Sequence, residues 1–386
     1  MLKNSVINRI ILNILLVLYS FLFGTDAFSQ SKSIDKEYLL FNSTGLLNLK
    51  LEYSNKQVKK DTDKDNLIYT DLIYEYNSNW DTIPISLSAR GNFRRANCYF
   101  PPLKMYLKKG FVTGSLFQGH KKLKLVLPCL LQNRSNDDVV KEYLAYKIYE
   151  LLSEVHFKTR LVTIDYIDNR DKKLEIHPLT VFLPKNKADE LYNYEGEEAF
   201  AFRKPKKYKL KAILIEDDKV VAKKHNAKVM KRFVHPLNQG KIASITNAFF
   251  QFMIGNTDFS TAYQHNQKLL FKNLETIPLP YDFDMSGLVD ASYAVVSNVQ
   301  NNQLDISEVT QRKYRGFKRD EESLQKVRQQ FLEKQSKVML LIDNHKMYFD
   351  DSKSFSKAKS YVQSFFSILQ SDSKFNSTII QEARIK

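Results

Sequence analysis

Apolar and polar residues alternate along the first half of the chain, then recur every three or four positions along the second. Residues 31–82 alternate, and 46–53 and 67–74 have the period of half-buried strands, with the charged run Lys59 to Asp65 as a solvated loop between them. Strands are predicted again at 83–90, 103–107 and 121–127, then at 160–167 and 211–216. Asp137-Asp138 opens a helix whose apolar stripe is Val140, Tyr143, Leu144, Ile148, Leu151 and Leu152, with the acids in its first turn. Helical period returns at about 241–254, 319–343 and 354–370. The order predicts an α+β protein of two lobes, a β-rich one with one helix and a mainly helical one, with a cleft between.

The expected organisation is a signal peptide over 1–29, a β-rich extension over 30–82, a first lobe over 83–218 and a helical lobe over 219–386. The stretch 184–209 is polar and Lys-rich and reads as a surface insertion. At the N-terminus, Lys3 and Arg9 precede an apolar run from Ile10 to Phe23, and Ala27-Phe28-Ser29 offers small residues for cleavage. Fourteen helical residues span about 21 Å, short of the roughly 30 Å hydrocarbon core of a bilayer. Export to a periplasmic, cell-surface or secreted location is therefore expected, with a retained anchor as the alternative. No stable membrane span is expected after cleavage.

Composition adds charge and two cysteines. Among 386 residues the formal net charge is +16, spread over the whole length, which suggests an acidic or phosphorylated partner or a Lys-rich solvated exterior. No nucleic-acid-binding signature is present, so the expected partner is a protein substrate, acidic where it meets that charge. In an oxidising compartment Cys98 and Cys129 either form a disulfide or remain two buried thiols.

The chemistry is concentrated in Gly255-Asn256-Thr257-Asp258, His265-Asn266 and Tyr281-Asp282-Phe283-Asp284, where acids and amides lie among apolar residues. Buried carboxylates are costly without a metal, a proton or a hydrogen-bond partner. Phosphoryl transfer needs a clamped cation, a group at the nucleophile and a positive group on the phosphates. Asp282 or Asp284 is a candidate Mg²⁺ ligand, with Asn266 adding an amide oxygen. In an extended segment the two aspartates flanking Phe283 would face opposite sides, and Asp284 is the favoured ligand. Asp258 is a candidate to deprotonate an attacking hydroxyl. Lys124 is a candidate phosphate ligand, with Glu142 on the next helix pairing with it. Arg90, Arg94 and Arg95 form either a phosphate-binding turn or a charged one. Arg312-Lys313-Tyr314-Arg315-Gly316 either receives an acidic substrate or simply precedes the next helix.

Taken in order, Arg90-Gly91-Asn92, the basic strand with Lys124, Lys141-Glu142-Tyr143-Leu144-Ala145, Ile215-Glu216 and the three acidic segments resemble the spore-coat protein H group of atypical protein-kinase-like proteins. The resemblance covers about 84–290. It implies a protein-kinase-like fold and transfer of phosphate from ATP, with Mg²⁺ or Mn²⁺, to a protein hydroxyl. It further implies that Asp258 is the catalytic-loop aspartate, that Asn266 and Asp282-Phe283-Asp284 bind metal, that Glu142 is the helix glutamate, and that Glu216 lies at a hinge. A Gly-rich phosphate loop of the form G-x-G-x-x-G is lacking, and the spacing from Asp258 to Asn266 is longer than in ordinary kinases. The alternatives are a catalytically silent protein that binds an envelope or surface partner, and a hydrolase using paired carboxylates.

Overall fold

A computed structural model describes residues 38–60, 66–132, 135–169, 205–297 and 304–385. The expected signal peptide and most of the expected insertion lie outside these residues; 206–209 belong to a strand. Seven strands form one closed barrel: β1 (Leu47–Tyr53), β2 (Ile68–Tyr76), β3 (Asn79–Ala89), β4 (Leu103–Leu107), β5 (Lys122–Val126), β6 (Thr159–Asp168) and β7 (Lys206–Ile215). Their order around the barrel is β1-β2-β3-β4-β5-β7-β6. Closure comes from parallel pairing of β1 with β6, Leu47 against Val162 through Tyr53 against Asp168. Alternation dictates the lining: Leu47, Leu49, Leu51 and Tyr53 of β1 point inward while Asn48 and Lys50 face out.

Nine helices are present among the described residues: α1 (Asn55–Lys60), α2 (Asn92–Asn97), α3 (Lys109–Val112), α4 (Ser135–Leu152), α5 (Asp218–Lys224), α6 (Lys241–Met253), α7 (Glu321–Asn344), α8 (Ser352–Gln370) and α9 (Asp372–Phe375). A second sheet of β8 (Lys228–Met230), β9 (Gln267–Lys272) and β10 (Glu275–Pro280) runs in the order β10-β9-β8. Pro278 and Pro280 lack the N–H a central strand needs, and β10 is accordingly an edge strand.

This architecture overturns the expected two-lobed protein-kinase-like fold. The β-rich half closes on itself instead of forming an open lobe, and residues 47–53 and 68–76, expected in an extension, are barrel staves. The second half carries its own sheet. Nor are the halves separate in packing. One core joins Val126, Leu161, Ile213 and Ile215 of the barrel strands, α4, and the apolar faces of α6, α7 and α8. Helix α4 lies between the layers and is buried on nearly every side. Its Asp137 carboxylate accepts the backbone N–H groups of Asp350 (2.7 Å) and Asp351 (3.0 Å) at the start of α8.

Cys98 and Cys129 form a disulfide. It ties the end of α2 to the segment after β5, where Tyr99 N–H also donates to the Cys129 carbonyl at 2.7 Å. The sequence separation is 31 residues. Replacing both cysteines with serine is expected to lower stability by about 3–4 kcal/mol, from the unfolded-state entropy a loop of this length regains. Urea denaturation checks this; an unchanged midpoint would contradict it.

Candidate functional site

The site is built where three segments meet: the turn from β3 into α2, the middle of α4, and the loops on either side of the β9–β10 hairpin. Two glycines bring the acidic loops together. Gly255 has φ +62, a region costly to side chains. Gly287 N–H donates to the Gly255 carbonyl at 3.1 Å, and Leu288 N–H to the Ile254 carbonyl at 2.9 Å. A Cβ would lie 2.0 Å from the Tyr361 hydroxyl at Gly255; at Gly287 it would meet that hydroxyl at 2.3 Å and the Val309 carbonyl at 2.7 Å. Gly255→Ala is expected to cost about 2–4 kcal/mol and to be partly rescued by Tyr361→Phe. Gly287→Ala gains less from that second change, because the Val309 carbonyl remains. Equal rescue in thermal melts would contradict this packing.

Asp258 sits in a local turn, its N–H donating to Asn256 Oδ1 at 2.9 Å. Its carboxylate accepts from His265 Nε2 (3.1 Å), Ser297 Oγ (2.9 Å) and Asn266 Nδ2 (2.9 Å). Burial opposes its charge, but the hydrogen bonds from His265 and Ser297 outweigh that and hold the carboxyl below its usual range. His265 is raised in turn, chiefly by its hydrogen bond to Asp258. Asn266 is thus spent as a donor on Asp258, which leaves its amide oxygen for any ion.

Phe283 is fully buried against Tyr146 and Phe250, and it anchors the second acidic loop. Asp282 has φ +65, and its N–H donates to the Tyr146 hydroxyl at 2.9 Å. The segment is therefore not extended at Asp282, so the condition for opposite orientations is absent, and both aspartates act on Glu142 and on Arg94. Asp284 accepts from the Tyr293 hydroxyl at 3.1 Å and lies 3.6 Å from Arg94 Nε.

Glu142 does not pair with Lys124. Arg94 Nη1 lies 3.7 Å from Glu142 Oε2, and Arg94 Nη2 donates to the Leu127 carbonyl at 2.7 Å. A planar guanidinium reaches two carboxylates and a carbonyl at once, which one ammonium on β5 does not. Lys124 Nζ instead faces the rings of Phe157 (4.4 Å) and Tyr281 (4.6 Å). It has no hydrogen-bond partner among the described residues. Burial, then the charge of Arg90, lowers it to about 7. Arg90 is half-buried and also acts on Glu142. Glu216 belongs to a different contact: it accepts the Lys158 N–H at 2.6 Å and Lys224 Nζ at 2.9 Å.

Sequence reasoning missed Arg94 as the partner of the acids, and missed Tyr293 and Ser297 altogether. The available signal for Arg94 was its place one helical turn before Cys98. The basic loop at 312–316 is structural over much of its length. Arg312 donates to the Met253 carbonyl at the end of α6 and stacks on Tyr361, while Arg315 donates to the carbonyls of Thr257 and Phe259.

Two carboxylates, Glu142 and Asp284, lie within ion-pair range of one buried guanidinium, and Asp282 acts on it from farther away. Burial, only partly offset by Arg94, raises Glu142 and Asp284 above their usual range. Glu142 Oε1 is buried without a hydrogen-bond partner among the described residues. Carboxylate oxygens that burial protonates are the donor type a hard cation such as Mg²⁺ takes in place of the proton. Among the described residues no three acid, His or Cys side chains are grouped to hold a metal by themselves. Also among the described residues, no helix is long and apolar enough to cross a membrane. No known protein family and no curated protein matches this chain.

Proposed function

We propose that this protein is an exported phosphotransferase that moves a phosphoryl group from Mg-ATP to a hydroxyl of a protein substrate. The observation that carries the proposal is the arrangement of opposite charges about one site. Asp258, kept ionised by its three side-chain donors, is within electrostatic reach of Asp284. Asp282 and Asp284 act in turn on Arg94, and Arg90 acts on Glu142.

In this account Asp258 orients the acceptor hydroxyl and takes its proton, while His265 and Asn266 hold the carboxylate in place. Lys124 and Arg90 bind the phosphates, and an arriving anion restores the charge that burial takes from Lys124. Asp282 and Asp284 would hold Mg²⁺, or Mn²⁺ in its place, which when bound would offset the charge of the phosphates. Arg94 positions Asp284 and Glu142. The Cys98–Cys129 disulfide supports an oxidising compartment.

The test is incubation with radiolabelled Mg-ATP and an acidic acceptor protein such as dephosphorylated casein. Wild type is expected to label the acceptor, and Asp284→Ala to lose labelling and the Mg-ATP-dependent rise in melting temperature. Nucleotide binding without any labelling would favour the catalytically silent alternative.

A further inference from the structure

A small pocket lies behind the Asp258 loop, lined by Phe259, Thr261, Tyr314, Arg315, Arg319 and Arg384 together with residues of α6. Asp258 and Asp320 act on Arg315 and Arg319 from nearby, but the hydrogen bonds of these two guanidiniums go to backbone carbonyls. Arg315 donates to the carbonyls of Thr257 and Phe259, and Arg319 to those of Leu237 (3.2 Å) and Pro236 (2.6 Å). The Arg384 guanidinium carbon lies over Phe317, 4.2 Å from the ring centroid, and its buried Nε has no hydrogen-bond partner among the described residues. Backbone pairing places it: Arg384 N–H donates to the Gly316 carbonyl at 2.9 Å, and Lys318 N–H to the Arg384 carbonyl at 2.8 Å.

The second observation is Tyr314. Only 2% of it is exposed, and its hydroxyl also lacks a hydrogen-bond partner among the described residues. A buried phenol without a partner is costly, and three like charges around it repel. Arg315 is lowered to about 10, first by burial and then by Arg384. Arg384 Nε and the Tyr314 hydroxyl are therefore two donors without partners among the described residues, and such a pair is complementary to a carboxylate or phosphate group.

We infer that this pocket binds an acidic side chain of the acceptor protein, which makes it a specificity site beside Asp258. The inference rests on the proposed transfer reaction for its role, though not for its chemistry. The pocket shares Phe259 and Thr261 with the Asp258 loop, whereas Lys124 and Arg90 lie on the barrel side. An anchored acidic residue would therefore deliver a neighbouring hydroxyl to Asp258 from the side away from the nucleotide.

The test is calorimetric titration of the full chain with a glutamate-rich hexapeptide and, separately, with inorganic phosphate. Arg384→Gln is expected to weaken peptide binding about tenfold or more, the range of a charge-assisted hydrogen bond. Tyr314→Phe removes an unpartnered hydroxyl, so without a ligand it is neutral or stabilising. Here it is expected to weaken the peptide as well, while both variants keep the Mg-ATP-dependent melting shift. Unchanged peptide affinity in both variants overturns the inference, and so does phosphate binding as tightly as the peptide. Arg384-dependent peptide binding in a protein that shows no Mg-ATP effect keeps the acidic-residue site and sinks the transfer reaction instead.

Discussion

Replacing Asp258 with asparagine is expected to slow phosphoryl transfer by roughly 10²–10⁴-fold, the range of a positioned general base. Asparagine keeps the volume and still accepts one hydrogen bond, so the fold and the Mg-ATP melting shift should persist. The pH profile gives a second reading. Hydrogen bonds from His265 and Ser297 outweigh burial and hold the Asp258 carboxyl below its ordinary range, so the part of the acid limb of kcat/KM that Asp258 sets should lie below the usual carboxylate range. Removing the imidazole with His265→Ala takes away that support. The Asp258 carboxyl then rises, and the acid limb moves to higher pH. A rate unchanged in Asp258→Asn, or an acid limb unmoved in His265→Ala, would contradict the assigned role.

Arg94→Met is expected to have the largest effect on stability, a loss of about 3–5 kcal/mol, because it leaves Glu142 and Asp284 buried without their counter-charge. Both carboxyls already titrate above their unfolded values, with burial as the leading cause. The sign of the pH dependence follows. Above the unfolded pKa the folded protein holds more protons than the unfolded chain, so these groups lower stability as pH rises. Their contribution is fully present below about pH 4 and is lost as pH climbs through the raised folded values. Arg94→Met should steepen that fall, and Glu142→Gln added to it should recover part of the loss. Urea melts from pH 4 to pH 8 measure this directly. A flat dependence in Arg94→Met would mean that the guanidinium does not hold these acids.

Elements with a strong local period were legible in the sequence. The strand expected at 103–107 is β4, and the helix expected at about 241–254 is α6, Lys241–Met253. Barrel closure was not legible, because β1 pairs with β6 across most of the intervening barrel sequence and nothing local marks a parallel partner. The β9–β10 hairpin was not predicted; Pro278 and Pro280 lie in β10, where an edge position tolerates them. In the site, Asp258, Asn266, Asp282 and Asp284 stood out because acids and amides among apolar residues are costly. The Lys124–Glu142 pair rested on element order alone. Order does not say which cation turns toward α4, and the short helix α2, held by the Cys98–Cys129 bond, supplies Arg94 instead.

The most direct test of the phosphotransferase account is an experimental structure with Mg²⁺ and a non-hydrolysable ATP analogue. The account predicts phosphates against Lys124 and Arg90, the ion on Asp282 or Asp284, and the terminal phosphate facing Asp258. A nucleotide bound away from these residues, or none bound at millimolar concentration with the acids still closed on Arg94, would contradict it.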